Sequence, residues 1–191
     1  MGKPETGVRA RTKRAILAAA AMTLARDRAA TLADIAAAAE VGRSTVQRYF
    51  AEREDLVKAV TEDSLRVLGE ATEEAGIGRG EPGEAMRRLV AAMLSVAERV
   101  LYLYGDAEIL DSIGGVDQDD EGSRAVRALI ERGQADGTFD AGADPWWIES
   151  VLWSLVYSAC DAVSRGRMPR HGAAATVIRT LEQGISGGGR R

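Results

Sequence analysis

The sequence predicts an all-α protein, and three observations carry that expectation. Ala, Leu, Glu and Arg, all good helix formers, are plentiful, while the 191 residues include only 4 prolines. Apolar residues recur three and four apart along most of the chain, the spacing of one helix face. Start and stop signals also fall where those faces begin and end. Thr31 precedes one apolar stripe, Asp144-Pro145 opens another, and Gly76, Gly78, Gly80 and Gly83 interrupt the chain between two more.

Taken in order, residues 1–8 are expected to be disordered. A helix from Arg9 to Arg26 follows, with Ile16, Ala19, Ala20 and Thr23 inward and Leu17 and Leu24 as flanks. Thr31 caps a short helix whose face is Leu32, Ile35, Ala36 and Ala39. Glu40-Val41-Gly42 is read as a tight turn, and Arg43–Phe50 as the next helix, anchored by Val46 and Phe50. Glu52, Glu54 and Asp55 open a fourth helix, where acids suit the positive end of the helix dipole. Leu56, Val57, Val60, Leu65 and Leu68 carry it toward Ala75. Further helices are expected over Glu84–Tyr104, Asp106–Ile113, Gly122–Ala135, Pro145–Arg165 and Ala173–Ile185, with residues 186–191 a disordered tail. Asp117, Asp119 and Asp120 lie in an acidic loop that lacks the glycine and terminal glutamate of a calcium loop, so they are read as solvated.

The stretch Thr31–Arg53 has the layout of a helix-turn-helix. Its second helix buries Val46 and Phe50 and leaves Arg43, Ser44, Thr45, Gln47, Arg48 and Tyr49 outward. A helix with one anchored face and one hydrogen-bonding face suits the DNA major groove. Arg can pair with guanine, Gln with adenine, and the Thr methyl can touch thymine. Charge agrees with this reading. Residues 1–60 hold 11 Lys/Arg against 7 Asp/Glu, and the remainder 14 against 22. A basic head on an acidic body suits a polyanion at the head only.

VGRSTVQRYFAEREDL, from Val41 to Leu56, resembles the helix-turn-helix of the TetR (tetracycline-repressor) family of bacterial transcription regulators. The resemblance covers about residues 9–60 in detail and the rest in length and helical character. Three positions depart from the family pattern. Glu40 stands where a turn glycine is usual, Gln47 replaces a frequent Tyr, and a Gly that commonly follows the first helix is missing near Asp27-Arg28. The resemblance implies a helix-turn-helix DNA-binding domain over residues 1–60 and a helical regulatory and dimerisation domain over 61–185. It also implies a homodimer, formed by the last two long helices, that binds a palindromic operator in double-stranded DNA and is released by a small-molecule effector. We read it as a repressor. Arg43, Thr45, Gln47 and Arg48 are the expected base contacts. Thr31, Ser44, Tyr49 and Arg53 are the expected phosphate contacts, which set register.

The helix over Pro145–Arg165 is apolar on more than one face, so it needs cover on two sides. Met93, Tyr102, Tyr104, Trp147 and Trp153 are candidates to line an effector pocket, because Met and aromatic residues build deformable apolar cavities. Against catalysis, His171 is the only histidine and Cys160 the only cysteine, and no phosphate-binding or dinucleotide fingerprint occurs. No enzyme, metal or cofactor is therefore expected. One cysteine, no span of membrane length and no signal peptide point to the cytoplasm. The alternative is a helical protein-interaction module without sequence-specific DNA binding, which would leave the cationic helix face without a role.

Overall fold

The computed structural model describes residues 7–113 and 121–185, so the acidic loop, residues 1–6 and residues 186–191 lie outside them. Among the described residues there are ten helices: α1 (Gly7–Arg26), α2 (Leu32–Ala38), α3 (Arg43–Tyr49), α4 (Arg53–Glu74), α5 (Pro82–Ser95), α6 (Ala97–Tyr104), α7 (Ala107–Ser112), α8 (Glu121–Ala135), α9 (Pro145–Ser164) and α10 (Arg170–Ile185). Contacts group them into two compact units, one up to Arg66 and one from Val67, so the division falls inside α4.

The first unit is built on a small shared core. Ile16, Ala20 and Leu24 of α1, Ile35 and Ala36 of α2, Val46 of α3, Phe50, and Leu56 and Val60 of α4 are all buried. Burying each large aliphatic or aromatic side chain contributes about 1.5–3 kcal/mol, enough for a few such residues to hold short helices that would not persist alone. α1 packs on α2 and α2 on α3.

In the second unit, α9 packs against α5, α6, α8 and α10. Its Ile148, Leu152 and Val156 are fully buried. The Asp144 side chain accepts from the Trp146 N–H, and Pro145 occupies the first turn, where its missing N–H costs nothing. Two arginines secure the chain where it leaves α4. Arg88 of α5 donates to the carbonyls of Ala75, Gly76 and Arg79, and Arg132 of α8 donates to that of Ile77 at 2.9 Å.

Several boundaries differ from the sequence expectation, and three of the differences have a clear physical reason. α1 begins at Gly7, so Gly7 and Val8 are helical, and the Thr12 hydroxyl donates to the Val8 carbonyl. α10 begins at Arg170 because Pro169, with its fixed φ and no N–H to satisfy, opens the turn that accepts from Gly172. The helix expected over Glu84–Tyr104 is two helices, broken at Val96 (φ −111°, ψ 34°). At about 100° per residue, one continuous helix would set Arg99 and Tyr102 on the side away from Met86 and Met93. All four are buried, and the break lets α6 turn toward α9.

Candidate nucleic-acid interface

The turn between α2 and α3 is set by hydrogen bonds at both helix ends. Thr31 and Asp34 form a reciprocal cap: the Thr31 hydroxyl accepts from the Asp34 N–H, and the Asp34 carboxylate accepts from the Thr31 N–H and hydroxyl. The Thr31 hydroxyl and then its backbone N–H hold the Asp34 carboxyl below its ordinary value. A depressed carboxylate keeps its contribution above the unfolded value and loses it as pH falls through the folded one. At the other end of α2, the Val41 N–H donates to Ala36 and the Glu40 N–H to Ala37. That is a Schellman cap, which requires a left-handed residue at its centre. Glu40 fills that place at φ 55°, so the glycine conformation is retained without the glycine.

Gly42 then caps α3 through its carbonyl, which accepts from Thr45 and Val46. Val46 and Phe50 are buried, and Arg43, Ser44, Gln47 and Arg48 are exposed. Thr45 and Tyr49 are half-buried at the edge of the same face. The structure therefore brings six of the eight sequence-selected DNA residues together on α3. Thr31 caps α2, and Arg53 is the first residue of α4.

Sequence reasoning assigned Thr31 and Tyr49 to phosphates, and here both hydroxyl protons are donated inside the chain. Thr31 gives its proton to Asp34 at 2.7 Å, and Tyr49 gives its to the Arg9 carbonyl at 3.1 Å. The guanidinium carbons of Arg9 and Arg48 lie 5.5 and 5.9 Å from the centre of the Tyr49 ring. The ring thus gathers two cations beside the exposed face. Arg53 donates to the Arg28 carbonyl with one of its guanidinium nitrogens, and a guanidinium carries five N–H donors in all.

The five candidate pocket residues differ in exposure. Met93 and Tyr102 are fully buried, and Tyr104 stacks on Trp153 at 5.3 Å between centroids. Trp147 is 58% exposed, because it begins α9 on the side away from Ile148. A cavity of about 250 Å³ lies beside α5 and α10, with Met86, Phe139 and Leu181 in its wall and Glu81, Arg87 and Glu182 around it, and none of the five lines it. Arg87 is ion-paired with Glu182 and, at 2.5 Å, with Glu84.

The buried charged residues Asp63, Arg99 and Glu149 have no place in the sequence reading. Glu149 is 2% exposed and lies 3.4 Å from the Arg127 guanidinium. The available signal was a lone carboxylate inside the most apolar run of the chain. Cys160 is buried, and desolvation pushes its thiol up to about 12, which makes it a poor nucleophile. His171 is exposed in the first turn of α10. Among the described residues no group of His, Cys, Asp and Glu could hold a metal ion, and no helix is long and apolar enough to cross a membrane.

Residues 16–60 match the family model of bacterial regulatory proteins of the tetR family. The chain is 37% identical over 181 residues to the HTH-type transcriptional repressor LfrR of Mycolicibacterium smegmatis, covering 95% of this chain and 94% of that one. The chain is a TetR-family transcriptional regulator. It is also 30% identical to the HTH-type transcriptional regulator NfxB of Pseudomonas aeruginosa, over 91% of this chain and 94% of the relative. The crystal structure of LfrR superimposes with a TM-score of 0.75 at 35% identity, covering 94% of this chain and 99% of LfrR. LfrR in complex with proflavine gives 0.71 at 36% identity, over 94% and 98%. Membership in the TetR family makes this chain a regulator and not an enzyme, and it agrees with the all-helical architecture.

Proposed function

We propose that this TetR-family regulator is a ligand-responsive repressor that binds a palindromic operator as a homodimer. The observation that carries the reading is the exposed face of α3, where Arg43, Ser44, Gln47 and Arg48 project from a helix locked by Val46 and Phe50. Arg43, Thr45, Gln47 and Arg48 read bases. Ser44 and Arg53 hold phosphates. Thr31 and Tyr49 act on the backbone by setting α2 and by presenting Arg9 and Arg48, since their own protons are committed.

Residues 1–60 form the DNA-binding part and residues 61–185 the regulatory and dimerising part, with α4 belonging to both. One recognition helix buries too little for specific binding, and two set about one DNA turn apart read a symmetric site. Helices α9 and α10 are the dimer face; Trp146 and Trp147, 48% and 58% exposed, are apolar surface that a second copy would cover. An effector controls binding if it prefers the conformation whose heads do not fit the operator. The relative LfrR, named a repressor and crystallised with proflavine, supports both repression and control by a small molecule.

Analytical ultracentrifugation of the protein with an enriched duplex tests the assembly. Two protomers should sediment on one duplex, and an effector should free the DNA. A single protomer per duplex, or equal binding to scrambled DNA, would reverse the reading in favour of a helical interaction module.

A further inference from the structure

The cavity beside α5 and α10 is apolar within and charged at its rim. Met86 of α5, Phe139 after α8 and Leu181 of α10 make its wall, and all three are buried. Two groups at the rim have hydrogen-bonding capacity to spare. Glu81 stands just before α5, is exposed and makes no cap hydrogen bond. Among the described residues its carboxylate has no hydrogen-bond or ion-pair partner. Arg87 is the one cation among the lining residues. Its Nε and one Nη donate to Glu182 and its other Nη to Glu84, which commits three of the five N–H donors of a guanidinium. The others have no partner among the described residues. Cavities for drug-sized ligands run from about 300 Å³ upward, so a space of about 250 Å³ suits a smaller molecule.

We propose that this cavity binds a small apolar α-amino acid, with its side chain against Met86, Phe139 and Leu181, its ammonium on Glu81 and its carboxylate on the remaining donors of Arg87. Charge decides among the alternatives. Glu81, Glu84 and Glu182 outnumber Arg87 at and beside the rim, so a lone carboxylate would add repulsion. A lone amine answers Glu81 and leaves the guanidinium donors unused. A neutral hydrocarbon uses the wall alone. A zwitterion adds no net charge and meets both groups. Arg87 meanwhile keeps its bonds to Glu84 and Glu182, so the tie between α5 and α10 survives binding. Gly83 keeps the space open. A Cβ there would stand 3.6 Å from the Thr138 methyl and 3.1 Å from the movable end of Glu81, so a longer side chain would grow into the cavity.

Leucine is the probe, titrated into the full-length protein by calorimetry without DNA, so the outcome is separate from operator binding. The wild type should bind it saturably. 4-Methylpentanoic acid, which lacks the ammonium, and 3-methylbutylamine, which lacks the carboxylate, should each bind at least about threefold more weakly, the strength of an exposed ion pair. Glu81→Gln, which disturbs no helix cap, should remove the advantage of leucine over 4-methylpentanoic acid. Gly83→Leu should abolish leucine binding while circular dichroism stays unchanged. If that variant fails to fold, the Met86 methyl resonance of the wild type should shift on adding leucine. Absence of saturable binding, wild-type affinity in folded Gly83→Leu, or an unmoved Met86 methyl would overturn the site. Equal affinity for the three probes, or an undiminished leucine preference in Glu81→Gln, would overturn the ligand class.

Discussion

The Tyr49 hydroxyl donates to the Arg9 carbonyl at 3.1 Å, joining the end of the recognition helix to the first turns of α1. The contact aligns two basic segments, because Arg9 and Arg48 both lie against the same ring. Tyr49→Phe keeps the ring and removes the bond. It should lower stability by about 0.5–1.5 kcal/mol and weaken binding to all duplexes alike. Denaturant melts and anisotropy titrations check the two effects, and a change in base preference would show that Tyr49 reads sequence directly.

Arg48 and Arg53 should separate base reading from phosphate holding. Arg48→Ala should cost about 1–3 kcal/mol of specific binding and relax the preference at one base pair. Arg53→Ala should weaken every duplex and reduce the salt slope by about 1. It should also lower stability, because the guanidinium donates to the Arg28 carbonyl. Titration over a range of salt concentrations distinguishes the two outcomes.

Glu40 holds φ 55° at the centre of the Schellman cap. A left-handed residue with a Cβ costs about 1–2 kcal/mol, part of which glycine gives back through its freer unfolded chain. Glu40→Gly should therefore stabilise the protein by about 0.5–1 kcal/mol and leave operator preference unchanged. Thermal unfolding provides the measurement. A fall in stability would mean that the Glu40 side chain contributes more than its backbone costs.

Gly133 lets the Phe139 ring lie on α8. A Cβ there would sit 2.2 Å from the ring, while the Phe139 N–H donates to the Gly133 carbonyl at 2.8 Å. Gly133→Ala should destabilise by about 1–3 kcal/mol through overpacking, despite alanine's better helix propensity. Denaturant unfolding should register the loss.

Cys160 should resist alkylation in the folded protein. Its thiol is buried, and desolvation pushes it up to about 12, so little thiolate exists near neutrality. Labelling followed by mass spectrometry should show modification only on unfolding.

The helix-turn-helix was legible in the sequence because short-range chemistry builds it. Thr31 and Asp34 cap each other, Val46 and Phe50 are one turn apart, and the outward residues follow by elimination. The break at Val96 was not legible. The apolar spacing continues across it, and only packing against α9 turns α6. The partners of Tyr49 and Arg53 were hidden for the same reason, since Arg9 and Arg28 are distant in sequence. Trp147 shows the limit of composition, since an aromatic residue at the start of an apolar helix can face outward.

The polar face of α3 is expected to read bases as a symmetric pair. Selection of duplexes from a random pool, followed by anisotropy titration of the winner at two salt concentrations, tests it most directly. The expected winner is a palindrome with half-sites about one helical turn apart, preferred over scrambled duplex at both salts. An unenriched pool, with only weak binding that vanishes as salt rises, would contradict it.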